Sequence, residues 1–303
     1  MDERIKIIID TDAGDDIDDA FAVALAVNSP ELDILGITTV YRNSFLRAKI
    51  VSHIVELYGK DIPVFCGEDT PLNDQIVTFG FEENDENGKP LINHYSSDMK
   101  DAKVMQSSAV DFILETIEKN PNEVVLVALG PLTNLALAYK KNPKTFCKLK
   151  GIHMMGGDPF FPTREWNIRC DAEAAKIVYS CGVPITMIGY NVTKVCTFSD
   201  EDIEFFNRLT HPACKVLVKM MTKWLINNKY VKQPTMHDGL AIACLFRNYC
   251  NFVNVPLTVL MDETWRGRTI IPPELEKAKN NIKVALNVNK TGFIEFLKER
   301  LNK

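Results

Sequence analysis

The chain has 303 residues, 46% of them hydrophobic, with 35 basic against 40 acidic side chains and a formal charge of -5. A chain this apolar can bury enough surface to offset its ordering entropy, which excludes intrinsic disorder. The mild acidity argues against a dedicated nucleic-acid binder, and no apolar run reaches the ~20 residues of a membrane helix. The charged opening lacks the pattern of a signal peptide and runs straight into Ile5–Ile9, a β-branched run that reads as a buried strand. The segment Asp10 to Asp19 holds six aspartates in ten residues and leads into the helical pattern of Asp18–Val27. Leu32–Val40 reads as the next strand and Leu46–Tyr58 as the next helix. Residues 74–97 are polar and Gly/Asn-rich and predict a long loop or flap. Val124–Leu129 is a strand that passes through Gly130-Pro131 into a helix at Thr133–Tyr139. Ile152–Met155, Pro184–Ile188 and Pro256–Met261 read as further buried strands, and residues 200–228 as a helical insertion. Strand Ile282–Val288 and helix Gly292–Leu301 close the chain. Strand–helix alternation predicts an α/β fold, a single domain over 1–303 with a mostly parallel central sheet flanked by helices. In such sheets ligands sit beyond the carboxyl ends of the strands. The eight cysteines are scattered without a Cys-x-x-Cys pair, which fits neither a zinc site nor a disulfide framework and favours a cytoplasmic location.

Asp10, Asp12, Asp15, Asp16, Asp18 and Asp19 repel one another, so a fold that gathers them usually supplies a cation. Oxygen-only ligands suit Ca²⁺ or Mg²⁺ rather than zinc. Helix capping accounts for one or two of these aspartates, not six. An EF-hand loop starting at Asp10 would need Gly at its sixth position and Glu at its twelfth, where this chain has Asp15 and Phe21. A phosphotransferase of the haloacid-dehalogenase type would carry Asp-x-Asp-x-Thr/Val, and Gly14 occupies the last of those positions. No Gly-x-Gly-x-x-Gly or Walker loop is present.

Asp10-Thr11-Asp12-Ala13-Gly14, followed by Asp18-Asp19-Ala20, resembles the N-terminal signature of the inosine–uridine preferring nucleoside hydrolase family. The resemblance continues in order through Thr38-Thr39-Val40 with Asn43, then Leu129-Gly130-Pro131-Leu132-Thr133-Asn134. Met154-Met155-Gly156-Gly157, Glu165-Trp166-Asn167 and His237-Asp238 complete it. It implies a Rossmann-like sheet and Ca²⁺-dependent hydrolysis of the N-glycosidic bond, giving ribose and a free base for salvage. The implied Ca²⁺ ligands are Asp12, Asp19, Asp238 and the backbone carbonyl of Leu129, with Asp12 also the general base on the attacking water. Asp18, Asn43, Met155, Glu165 and Asn167 would form the sugar pocket, Trp166 would border the base, and His237 would be the general acid. Tyr230 is a weaker candidate for the same pocket. The implied partner is a small-molecule nucleoside, with a homodimer or homotetramer as the assembly.

Three departures stand out. Asp15-Asp16-Ile17 lengthen the aspartate loop by two residues, so Asp16 could take over a ligand or ribose role. Phe79-Gly80-Phe81 stands where many relatives carry a His-Gly motif, and His94 is the only histidine near it. Arg42 replaces a common glycine, and Arg164 flanks Glu165, which raises the alternative of a 5′-monophosphate or a modified nucleoside such as queuosine. A Mg²⁺-dependent phosphohydrolase and a non-catalytic nucleoside-binding protein are the rivals from other classes.

Overall fold

The computed structural model describes residues 4–78, 83–86, 88–228, 233–274 and 280–302. Its strands are β1 (Ile5–Thr11), β2 (Leu32–Thr39), β3 (Val64–Cys66), β4 (Val125–Ala128), β5 (Gly151–Met155), β6 (Ile185–Ile188), β7 (Cys250–Val255), β8 (Thr258–Val259), β9 (Thr269–Ile270) and β10 (Ile282–Val288). The helices are α1 (Asp18–Val27), α2 (Ser44–Leu57), α3 (Ala109–Lys119), α4 (Thr133–Lys141), α5 (Pro143–Phe146) and α6 (Trp166–Cys170). They continue as α7 (Ala172–Tyr179), α8 (Tyr190–Thr193), α9 (Asp200–Asn207), α10 (Pro212–Asn227), α11 (His237–Ala243) and α12 (Lys290–Leu301).

Eight strands form one sheet in the order β3-β2-β1-β4-β5-β6-β10-β7, parallel except for β7. β1 pairs in parallel with β2 on one side and β4 on the other, so the strand order reverses between β1 and β4. A crevice opens at such a switch point, beyond the carboxyl ends of the strands. Ile7, Ile8 and Ile9 are fully buried, as a parallel strand covered on both faces requires. α1, α2, α10, α11 and α12 cover one face of the sheet, and α3, α4 and α7 the other.

α1 has no solvent face: all ten of its residues are buried. Its alanines allow close packing against α11, and Phe21 meets Phe198 and Phe206 edge-on at 5.4 and 5.0 Å. α1 therefore carries Asp18 and Asp19 into the interior at its first turn, where the helix dipole favours anions.

Pro256–Met261 does not join the main sheet as expected. Only Thr258–Val259 is extended there, and it pairs with β9 in a separate two-stranded ladder. The edge beside β10 is already taken by the antiparallel β7, and Pro256 has no N–H to offer a ladder. β3 and β7 were not foreseen: one is three residues long, and the other alternates with no fully buried position because it lies on the edge.

Candidate active site

The carboxyl ends of β1, β4 and β5 converge on a cavity of about 350 Å³. The loop after β1 lines it with Asp12, Asp15, Asp16, Asp18 and Asp19. Leu129 follows β4, Met155 ends β5, and Glu165, Trp166 and Asn167 open α6. Tyr190 at the start of α8 and His237-Asp238 at the start of α11 complete the wall.

Asp10 lies beneath this cavity rather than in it. Its fully buried Oδ1 accepts from Thr38 Oγ1 at 2.5 Å and Asn134 Nδ2 at 2.7 Å, and burial raises its carboxyl to about 7. Asn134 also donates to the Thr39 carbonyl and accepts from the Glu68 N–H, so one amide ties α4 to β2 and the loop after β3.

Oxygens of Asp18, Asp19 and Asp238 lie within 4.8 Å of one another, all three residues buried. At an effective dielectric of 20, charges at such a spacing repel by roughly 3 kcal/mol per pair. Burial and this repulsion push Asp18 and Asp238 well above the usual carboxylate range and Asp19 to about 8. Thr11 Oγ1 donates to Asp19, and the Asp238 N–H donates to Asp18 Oδ2 at 3.1 Å. The tight trio contains Asp18 where the expected ligand set has Asp12. Asp12 borders the same cavity from the β4 side, where its Oδ1 packs against Gly130. Burial and the neighbouring Asp19 raise the Asp12 carboxyl, against the opposing pull of Arg47.

Asp15 is held by two arginines, Arg47 at 2.6 Å and Arg42 at 3.1 Å, which keep its carboxyl below the ordinary value despite burial. Arg42 is thus a buried residue of the site, not a solvated surface charge. Tyr41 and Arg42 have φ of +76° and +58°, a left-handed turn that disfavours both side chains. Their N–H groups donate to the Glu68 and Asp69 carbonyls at 2.7 Å, and these bonds hold the turn.

On the sugar side of the expectations, Asn167 Nδ2 donates to the Leu129 carbonyl at 2.7 Å and the Met155 carbonyl at 3.2 Å. Glu165 caps α6, and both its oxygens accept backbone N–H groups, from Asn167, Gly157 and Ile168. His237 Nδ1 lies 2.7 Å from Thr193 Oγ1, and its ring stacks on Tyr190 with centroids 5.7 Å apart. Burial lowers its imidazole to about 4. Arg164 is exposed at the cavity rim, and Asp16 is exposed with its Oδ1 accepting the Ile17 N–H. Asn43 stands apart from the lining: it caps α2 through Leu46 and donates to the Pro90 carbonyl. Tyr230 lies outside the described residues.

The family model described as inosine-uridine preferring nucleoside hydrolase matches residues 7–295. The chain belongs to this family. Among nucleoside hydrolases it resembles Uridine nucleosidase 1 of Arabidopsis thaliana, 31% identical over 98% of this chain and 93% of that protein. The pyrimidine-specific ribonucleoside hydrolase RihA of Salmonella arizonae is 30% identical, covering 98% of both chains. Among solved structures, the plant nucleoside hydrolase PpNRh1 superposes with a TM-score of 0.84 at 29% identity, covering 99% of each chain. A purine-preferring ribonucleoside hydrolase from Gardnerella vaginalis gives 0.81 at 26% identity over 98% of each chain. No helix among the described residues is long and apolar enough to cross a membrane.

The nucleoside hydrolase site also contains residues that the sequence did not single out. Arg47 sits in an apolar helix and looks like a core-lining basic residue until the loop after β1 is folded onto it. Tyr190 and Thr193 reach His237 only through the packing of α8 on α11. Tyr41 carries no motif, and the unexplained Arg42 beside it was the one available signal.

Proposed function

We propose that the protein hydrolyses the N-glycosidic bond of ribonucleosides with a resident Ca²⁺, releasing ribose and a free base for reuse. One observation carries this reading: the oxygen trio of Asp18, Asp19 and Asp238 belongs to the same cavity as Asp12 and His237. The donors fit a hard divalent cation, since the trio offers buried carboxylate oxygens and neither nitrogen nor sulfur. Asp19 and Asp238 belong both to the trio and to the set that the family resemblance implies. Asp12 and the Leu129 carbonyl would complete that set from the same cavity. When bound, the ion supplies concentrated positive charge that offsets the carboxylate repulsion and acidifies a neighbouring water.

The chain's own groups then divide the chemistry. Asp12 accepts the proton of the attacking water. Asp18 and Asn167 hold ribose hydroxyls, with Glu165 fixing the loop around them. The sugar becomes oxocarbenium-like as the bond breaks, and the surrounding carboxylates favour that positive charge. As general acid His237 acts in its imidazolium form: Nδ1–H donates to Thr193 Oγ1, Nε2–H gives its proton to the departing base, and the neutral ring left behind is the form that burial favours. Trp166 and Tyr190 supply aromatic walls to the cavity.

A reducing-sugar assay on uridine, inosine, cytidine and adenosine tests the reading. Ribose release should stop on chelation and return with calcium, and Asp12→Asn should lower kcat by about 10²- to 10⁴-fold without unfolding the chain. No ribose from any of these substrates with calcium present would overturn it.

A further inference from the structure

Asp15 lengthens the aspartate loop, yet the reaction above does not use it. It is nevertheless where the loop's ties meet. Its Oδ2 accepts from Arg47 Nη2 at 2.6 Å and Arg42 Nη1 at 3.1 Å, and its Oδ1 accepts the Asn93 N–H at 3.4 Å. Arg47 is 1% exposed, and each of its guanidinium nitrogens has an acceptor. Nε donates to the Tyr41 carbonyl at 2.8 Å, Nη1 to the Asp12 carbonyl and Nη2 to Asp15. A single planar group therefore joins the strained 41–42 turn to both Asp12 and Asp15. Gly14 makes the approach possible: its φ is +134°, and a Cβ there would stand 2.3 Å from Ile92 Cγ2 and 2.9 Å from Ile50 Cδ1.

We propose that Arg47 and Asp15 are positioning residues for the reaction: together they fix the backbone of Asp12, and so the direction from which its carboxylate meets the attacking water. The proposal rests on the reading of Asp12 as proton acceptor. A guanidinium suits the task because its rigid fork serves three acceptors in three directions, whereas an ammonium on a flexible stem does not. The pair touches neither sugar nor base in this role.

The test uses the full chain with Arg47→Met, Arg47→Lys, Asp15→Asn and the Arg47→Met/Asp15→Asn double variant. kcat and KM are measured on uridine or inosine at saturating calcium, and melting temperature with and without calcium. Arg47→Met should lower kcat by about 10- to 100-fold, the scale on which a misaimed catalytic group is felt, with KM within about threefold of wild type. Arg47→Lys should recover only part of the loss. The double variant should be no slower than Arg47→Met, because the two residues act as one unit. A calcium-induced rise in melting temperature should remain, reduced only by what the displaced Asp12 contributes, since the Asp18, Asp19 and Asp238 trio is untouched. Variants that melt lower but keep the wild-type kcat would overturn the proposal and leave the pair a purely structural one. Should Arg47→Met not fold, the near-isosteric Asp15→Asn decides on the same criterion. A wild type that binds calcium yet releases no ribose defeats the hydrolase reading instead, a result distinct from active variants with unchanged kcat.

Discussion

The backbone N–H of Asp238 donates to a carboxylate oxygen of Asp18 at 3.1 Å, across 220 residues of sequence. This contact joins the first turns of α1 and α11, the two helices that deliver the buried acids. A shift of either helix would stretch this bond and move the Asp18 carboxylate relative to α11.

Asp19→Asn and Asp238→Asn should each weaken calcium binding at least tenfold. Each should also shrink the melting-temperature rise that calcium gives the wild type, where saturation at 100 times Kd is worth about 2.7 kcal/mol. In chelator the order should invert. Each Asn variant should then melt at or above the wild type, because it removes one mutually repelling buried charge. Thermal melts in EDTA and in calcium check both halves. An undiminished calcium shift would remove that residue from the ligand set.

His237→Ala should cost about 10²- to 10⁴-fold in kcat on inosine or uridine, whose bases need a proton to depart. On p-nitrophenyl riboside the leaving group needs none, and the variant should approach wild-type rates. Comparing the two substrates separates leaving-group protonation from simple loss of packing against Tyr190. Equal losses on both would assign His237 to binding alone.

Gly130→Ala should lower kcat while leaving the fold intact. A Cβ at this position would lie 2.9 Å from Asp12 Oδ1 and 3.0 Å from the Asp12 backbone nitrogen, so the aspartate must move. A loss of roughly tenfold or more is expected, given how steeply rate depends on alignment. Steady-state kinetics beside a circular dichroism melt provide the check, and unchanged kcat would show that the loop yields freely.

Two buried histidines should each weaken the fold as the pH falls. Burial holds His94 and His153 at about 4, whereas both titrate near 6.5 when unfolded. Neither ring nitrogen of His94 has a hydrogen-bond partner among the described residues, and His153 leaves Nε2 without one. Between these two pH values the unfolded chain binds more protons than the native one. This histidine contribution is therefore complete above about pH 6.5 and is lost as pH falls toward 4, by up to about 3 kcal/mol per histidine, while the raised carboxylates of the metal-free site change stability in the opposite sense. Denaturant melts at pH 7.5 and pH 5 should show a smaller loss for His153→Leu than for wild type. Identical losses would place the sensitivity elsewhere.

The regular parts of the molecule were legible from apolar runs: α1 and β10 fall where periodicity places them, because α1 buries every residue and β10 turns Ile282, Val284 and Ala285 into the core. Edges were not. β7 is only half covered, so its pattern is diluted, and Pro256–Met261 has strand-like composition but no free neighbour in the main sheet. At the site, the acids could be read because they are consecutive and chemically improbable without a purpose. The groups that aim them could not. Arg47 answers Asp12 and Asp15 across 35 and 32 positions, and Thr193 answers His237 across 44, distances at which one sequence holds no pairing signal.

α1 has no solvent-facing side, and this divides the labour of the molecule. The reactive acids stand on a part where almost any change in side-chain volume would be felt throughout the interior. The cavity rim includes Thr163 and Arg164 of the 158–164 loop, where Phe160, Phe161 and Arg164 already face water. The rim can therefore change by surface substitution, while the acids are locked in place by their own upholstery.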